Sequence, residues 1–264
     1  MDNEIRKGNE FQDKILAFVR ISKSQYNNDV ASGRLYMNKQ SRFIEKENLT
    51  TGQADNKESL VVEGETDFVL KFGVLNKQYS LPITKMRHNL DVYIFCAYEI
   101  RLSEISYDKN NDCYVHVIPW EYISSFVDDT GEAEMLIIST PEIFVKKFYD
   151  AASKAGLEYV MGSVEYDLDE KINTPEYFEQ VMEDGIASVF HKVKKHEQER
   201  EYRLAILDHS KPDHLELDIS PVNDVFFSKL KVEMGKSVMI GIKDLRHDST
   251  GNYVYSPQFL YKFV

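Results

Sequence analysis

The residues best suited to chemistry lie in one charged stretch, 196–203, directly before an apolar run. Glu199, Glu201 and Arg203 stand at every second position there. Residues two apart in a β-strand point to the same face, so the pattern predicts two carboxylates and a guanidinium side by side at the edge of a sheet. Such a carboxylate pair can stabilise a positive charge that develops during bond cleavage. The same three side chains can instead neutralise one another as a surface ion network.

Arg20 is a second candidate, because it interrupts the apolar run of the first predicted strand. A guanidinium at that position can hold a dinucleotide in place. The alternative is an edge-strand arginine that is paired with a local acid. If both candidates are functional, we expect Arg20 and Glu201 to line opposite walls of one crevice that is wide enough for a ribose.

Other kinds of chemistry have less support in the sequence. The chain has no P-loop, no G-x-G-x-x-G turn, no G-x-S-x-G elbow and no H-E-x-x-H helix. The near histidine pairs, 191/196 and 209/214, are each five residues apart, which is not one helical turn, and no metal site is predicted. Hydrolysis by a metal and the same carboxylates would need a further acidic ligand. Cys96 is most simply a buried strand cysteine.

The elements that must position these residues follow from hydrophobic periodicity and from turn and cap signals. Strands outnumber helices, and neither a regular β-α-β alternation nor an all-β pattern is sustained, so the predicted class is α+β. We expect one domain over residues 1–264, with central mixed or antiparallel sheets, flanking helices and a long polar loop at 39–60. The predicted strands are 15–21, 34–38, 66–72, 92–97, 114–118, 135–139, 159–166, 202–207, 215–219, 225–231, 237–242 and 253–255, and the predicted helices are 24–32, 141–156 and 175–191.

Composition narrows the class of protein. The 264 residues are 42% hydrophobic, enough for a core, and the net charge of −12 argues against a broad basic surface that binds nucleic acid. Two cysteines are too few for a disulfide scaffold. No apolar stretch is long enough to span a membrane, and the first residues do not have the layout of a secretion signal, so a cytoplasmic protein without a membrane partner is predicted.

Short motifs between residues 15 and 230 resemble a large, mostly uncharacterised family of bacterial and phage proteins. They read Phe-Val-Arg-Ile-Ser, Gly-Arg-Leu-Tyr-Met-Asn, Ala-Asp-Asn-Lys-Glu-Ser, Tyr-Ile-Phe-Cys, Pro-Glu-Ile-Phe, Phe-His-Lys and Glu-Arg-Glu-Tyr-Arg-Leu. Members carry an Asn/Asp-x-x-Glu loop, matched here by Asp55 and Glu58, and a late E-x-E-x-R strand. The family is distantly similar to ADP-ribosyltransferases, including toxins that modify nucleic acids in phage defence, so the resemblance implies an ADP-ribosyltransferase-like fold.

The resemblance also implies a NAD-dependent ADP-ribosyltransferase that acts on a macromolecular acceptor, either nucleic acid or protein. Glu201 would be the catalytic carboxylate and Glu199 the partner that orients or activates the acceptor. Arg20 and Arg203 would contact NAD, and Tyr36 would stack on the nicotinamide. The protein would then be a toxin or phage-defence effector, and a second protein could neutralise it.

Two positions depart from the patterns of the transferases. An arginine-specific enzyme would carry Ser-Thr-Ser on a central strand, whereas this chain has Ser139-Thr140-Pro141 at a strand end, where helix capping is the simpler explanation. The first strand carries arginine where many nucleic-acid-modifying relatives carry histidine. A non-enzymatic binding module therefore stays open as the alternative, with the E-x-E-x-R face as an ion network and the 40–59 loop as a contact for a partner protein.

Overall fold

The computed structural model describes residues 13–45, 57, 59–72, 77–88, 92–127, 131–208, 213–243, 245–247, 253–254 and 259–264. Within these ranges the chain is a mixed α+β protein built on antiparallel sheets, which confirms the predicted class. The helices are α1 (Ser24–Ala31), α2 (Ser41–Glu45), α3 (Trp120–Ser124), α4 (Pro141–Lys154), α5 (Leu168–Lys171) and α6 (Pro175–Glu183), with short 3₁₀ helices at Leu102–Glu104, Gly185–Phe190 and Lys194–Glu199.

Each predicted run contains a strand, several strands extend beyond the runs, and the strands at residues 77–87, 106–108, 246–247 and 259–263 were not predicted. The strands are β1 (Ile15–Ser22), β2 (Arg34–Lys39), β3 (Leu60–Phe72), β4 (Lys77–Arg87), β5 (Val92–Arg101), β6 (Ser106–Asp108), β7 (Cys113–Ile118), β8 (Glu134–Ile138), β9 (Glu158–Ser163), β10 (Glu201–Leu207), β11 (His214–Asp218), β12 (Phe227–Lys231), β13 (Val238–Ile242), β14 (Arg246–His247), β15 (Tyr253–Val254) and β16 (Phe259–Phe263).

The main sheet divides along one edge of β5. On one edge, β5 pairs with β10 over residues 92–98, and β9 pairs with the far edge of β10. On the other edge, β1 pairs with residues 98–101 and β2 pairs with residues 93–94. Within the described chain no strand pairs with that edge at residues 95–97. Strands β1 and β2 therefore diverge at this point, with β8 and β12 continuing from β1 and β11 from β2.

The two faces of the main sheet are covered by different layers. On one face, Phe18 and Phe95 pack against Phe144 of the amphipathic helix α4, with ring centroids 6.4 and 5.9 Å apart. On the other face, Val19 and Tyr98 belong to a second core, which a sheet in the order β16–β13–β7–β6 covers together with α3. The alternation of side chains along each strand thus supplies two separate cores.

The third helix prediction was too long. The spacing predicted one helix over 175–191, but α6 ends at Glu183 and a 3₁₀ helix follows. The ring of His88 lies against Gly185, so close that a Cβ at that position would lie 2.0 Å from a ring carbon. The hairpin β3–β4 thus meets the chain at the point where the α-helix ends.

The predicted loop at 39–60 is described only at its two ends. It begins with α2 and leads into β3. Residues 46–56 and 58 lie outside the described residues, and with them Asp55 and Glu58. No helix in the described chain is both long and apolar enough to cross a membrane.

Candidate functional site

Glu201 opens β10 and is held by two cations. Its Oε1 lies 3.0 Å from Lys192 Nζ, and its Oε2 accepts a hydrogen bond of 2.8 Å from Arg203 Nε. Its backbone N–H donates to the hydroxyl of Tyr166 at 2.7 Å. Burial alone would raise the pKa of Glu201, but Arg203 and Lys192 outweigh burial and hold this pKa well below its usual range. The carboxylate is therefore ionised and fixed in place.

Glu199 reaches the same site by a route that the strand pattern did not predict. The strand begins only at Glu201, because Arg200 adopts a left-handed conformation with φ of 41° and Glu199 ends a 3₁₀ helix. The prediction that Glu199 and Glu201 share a strand face is thus wrong. Their carboxylates nevertheless meet, since Glu199 Oε2 lies 2.6 Å from Lys192 Nζ, and Oε1 lies 2.5 Å from His196 Nδ1.

The side chain of Arg203 is buried next to Glu201. Its side chain is 3% exposed, and Nη1 donates to the backbone carbonyl of Val189. The guanidinium therefore fastens the 3₁₀ segment before His191 to the start of β10 and supports the Glu201 carboxylate. A direct contact between Arg203 and a dinucleotide, which the resemblance implied, would require this buried arrangement to open.

Among the residues that the structure describes, Arg20 does not have the local acid that the simpler interpretation required. Its guanidinium lies over the ring of Phe95, with Cζ 5.0 Å from the ring centroid. Nε is buried without a hydrogen-bond acceptor, and no carboxylate pairs with this side chain in the part of the chain that the structure describes. Burial lowers the pKa of Arg20 from its ordinary value. A half-buried cation without a counter-ion is costly and uncommon.

The register of the strand pairs places Arg20 and Glu201 on opposite faces of the main sheet. Glu201 stands opposite Tyr98, as does Val19, so the next residue of β1 points to the face that α4 covers. The expectation that these two side chains face each other across one crevice is therefore wrong. Arg20 stands, however, beside the division between β1 and β2.

Tyr36 lies on the same face of the main sheet as Glu201. It is two residues from Asn38, which pairs with Ile94 of β5 on that face. The ring of Tyr36 stacks on His214, with centroids 4.7 Å apart and planes inclined by 17°. The aromatic surface that the resemblance assigned to nicotinamide is thus half-buried and already has one stacking partner.

A second ionic cluster surrounds His191, next to the site. Glu165, Asp167 and His191 offer ligand atoms within 4.8 Å of one another. The ammonium of Lys171 lies among them, 2.9 Å from Asp167 and 3.3 Å from both ring nitrogens of His191. Equal distances to the two nitrogens put the ammonium over the ring and not along a nitrogen lone pair. The cluster therefore already contains its own cation.

Sequence reasoning missed Lys192, Tyr166 and Tyr122. Tyr166 and Tyr122 come from segments far from Glu201 along the chain, and only the Phe-His-Lys motif gave a signal, for Lys192. Tyr122 enters from α3, where its ring packs 4.9 Å from that of Tyr98. Comparisons with models of protein families, with curated proteins and with solved structures find no match to this chain.

Proposed function

We propose that the chain is a NAD-dependent ADP-ribosyltransferase that modifies a macromolecular acceptor. The observation that carries the proposal is Arg20, a desolvated arginine without a carboxylate partner among the described residues, at the point where β1 and β2 diverge. The local-acid explanation for this arginine has no support in the contacts. An anionic ligand would supply the missing counter-charge, and the pyrophosphate of a dinucleotide has the chemistry that guanidinium groups recognise.

The charges around the site favour the same class of ligand. Lys192 and Arg203 balance Glu199 and Glu201, so the carboxylate cluster is close to neutral. Arg20 adds one positive charge on the other face of the main sheet, in a chain whose net charge is −12. A local positive field in an otherwise acidic protein attracts an anion to this place and not to the general surface.

Glu201 has the properties that cleavage of the nicotinamide–ribose bond requires. That bond breaks with its electron pair leaving on nicotinamide, and positive charge develops on the ribose. An ionised carboxylate that is held by two cations cannot rotate away or take up a proton easily, so it is preorganised to face this charge. The same two cations also weaken its field, which sets a limit on the stabilisation that Glu201 alone provides.

We further propose an ADP-ribosyltransferase-like fold, in which the divided edge of β5 forms part of the dinucleotide site. A NAD molecule that spans the division would place its phosphates at Arg20 and its nicotinamide ribose on the face of Glu201 and Tyr36. Glu199 would orient the acceptor, either nucleic acid or protein. The residue motifs favour a toxin or phage-defence effector that acts in the cytoplasm and that a second protein could neutralise.

The test is transfer of labelled ADP-ribose to macromolecules of a cell lysate. The wild-type chain should label material that is sensitive to either nuclease or protease, and Glu201→Gln should abolish the labelling while circular dichroism stays unchanged. Glu158→Gln is the matched control, because Glu158 opens the neighbouring strand β9 but is exposed. Undiminished transfer by Glu201→Gln would refute the catalytic assignment of Glu201.

A second candidate function is that of a non-enzymatic binding module. It is favoured by the way the charged side chains of the cluster pair with one another. His196, Glu199, Lys192, Glu201 and Arg203 form one connected chain of short polar contacts. Carboxylates that are already paired with cations of the same chain need no ligand, and such pairing is typical of a structural element. This candidate predicts no binding of NAD and a large loss of stability when the network is broken.

A further inference from the structure

Lys192 is the centre of the carboxylate cluster. Its side chain is 5% exposed, and its ammonium contacts Glu199 Oε2 at 2.6 Å and Glu201 Oε1 at 3.0 Å. The two glutamates belong to different elements, the end of a 3₁₀ helix and the start of β10. The ammonium is therefore the group that brings the two carboxylates together.

The backbone fixes Lys192 on both sides. Its N–H donates to the carbonyl of Glu165 at 2.9 Å, and its carbonyl accepts from the N–H of Leu168 at 3.0 Å. His191, its neighbour, makes a parallel bridge to Glu165 and points its ring into the second ionic cluster. A short extended segment thus points one side chain into each cluster, and Lys192 has little freedom to move away.

We propose that Lys192 is a positioning residue of this site, whose ammonium holds Glu199 and Glu201 side by side as carboxylates. The inference rests on the proposed function. Two buried carboxylates that lose the cation between them repel each other, and a shared proton then relieves the repulsion. Arg203 would remain on Glu201, and His196 on Glu199.

Loss of Lys192 should therefore lower the rate of the reaction and not the affinity for NAD. Cleavage releases nicotinamide with the bonding electron pair, and a protonated Glu201 could not stabilise the cationic ribose that remains. NAD would still bind through its phosphates at Arg20, which lies outside the Lys192 network. Among the described residues, the groups that face the carboxylates without Lys192 include Arg203, His196, Tyr166 and Tyr122.

The experiment compares Lys192→Met and Lys192→Arg with Lys195→Met, a control on the exposed side of the same turn. For each full-length variant, nicotinamide release from NAD is measured from mildly acidic to alkaline pH, and NAD affinity is measured by calorimetry. Lys192→Met should lower kcat at neutral pH by about 100-fold, the cost typical of one lost electrostatic group, while the Kd for NAD changes little. The rate should recover as alkali removes the shared proton. Lys192→Arg should keep most of the rate, and Lys195→Met should match the wild type.

An infrared readout makes the test independent of activity. Lys192→Met should show the carbonyl stretch of a protonated carboxyl group at neutral pH, which the wild type and Lys192→Arg lack. Adding Glu201→Gln or Glu199→Gln should then remove this band. If Lys192→Met gives no such band, or if an active wild type and Lys192→Met share one pH profile, the positioning role is wrong. If the band appears but the wild type neither binds nor cleaves NAD, the proposed function fails and the carboxylate-holding role of Lys192 stands. Should Lys192→Met not fold, Lys192→Gln tests the same band.

Discussion

Replacing Arg20 by methionine should stabilise the fold and at the same time weaken NAD binding. Most substitutions of buried residues destabilise a protein, so the opposite sign is diagnostic. Arg20 has a buried Nε without an acceptor and no carboxylate partner in the described chain, and its guanidinium lies over the ring of Phe95. Methionine keeps the length of the side chain and its packing on the aromatic ring, and it removes the desolvated charge.

The magnitude follows from the two opposing contributions. An unsatisfied buried polar group costs about 1–3 kcal/mol, and more when it is charged. The cation–π contact of Arg20 with Phe95 returns about 0.5–2 kcal/mol, part of which methionine retains through its own sulfur–aromatic contact. The net expectation is a gain of about 1 kcal/mol, or a rise in Tm of about 2–4 °C for a chain of this size. The Kd for NAD should rise at least about tenfold, since one charged hydrogen bond contributes about 1.5–3 kcal/mol.

The assay is urea unfolding of both proteins, followed by circular dichroism, together with calorimetric titration of NAD. Arg101→Met is the matched control, because Arg101 is also an interior arginine but is paired with Glu99 at 2.7 Å and with Asp13 at 3.1 Å. Breaking that network should destabilise the protein by about 2–4 kcal/mol, since it leaves Glu99 buried without its cation. Arg20→Met and Arg101→Met should therefore shift stability in opposite directions.

The reasoning about Arg20 would be refuted by a loss of stability in Arg20→Met that approaches that of Arg101→Met. Such a loss would mean that Arg20 has a structural role in the fold. Unchanged NAD affinity in a stabilised Arg20→Met would refute the assignment of Arg20 to the phosphates.

Three further predictions concern stability. Gly33→Ala should destabilise the protein by about 1 kcal/mol or more, because Gly33 has φ of +92° and a Cβ there would lie 3.0 Å from Ser220; an unchanged melting temperature would contradict this conformation. Arg203→Met should cost about 3–5 kcal/mol in urea unfolding, because it leaves Glu201 with one cation and a buried carbonyl without its donor; a neutral effect would show that Arg203 is not a structural support. Burial lowers the pKa of His116 to about 4 from an ordinary value of 6.5, so the unfolded chain takes up a proton first and stability should fall as pH drops from 6.5 towards 4, by about 3 kcal/mol in total. His116→Gln should flatten that part of the profile, and an equally steep profile in the variant would exclude His116 as the cause.

The sequence predicted the elements well because their signals are local. The apolar runs around Ile94 and Ile137 and the Pro141 start of α4 depend only on neighbours along the chain. The carboxylate pair was also recognised, but its geometry was not, since the left-handed backbone at Arg200 turns Glu199 out of the strand. No local pattern indicates that Lys192 bridges the pair, because its position is set by the backbone bonds to residues 165 and 168.

The division of the main sheet was likewise beyond the sequence. It depends on which residues of β5 pair with β1 and which with β2, and alternation within a strand does not determine the choice of neighbour. For that reason Arg20 and Glu201 could be selected by residue type, whereas their placement on opposite faces required the register.

The most direct measurement is calorimetric titration of NAD into the wild-type chain, with Arg20→Met titrated in parallel. We predict saturable binding of one NAD per chain by the wild type and a much weaker interaction with the variant. Absence of heat from the wild type at millimolar NAD, with the protein folded, would contradict the assignment and leave the closed ion network as a structural feature of a binding module.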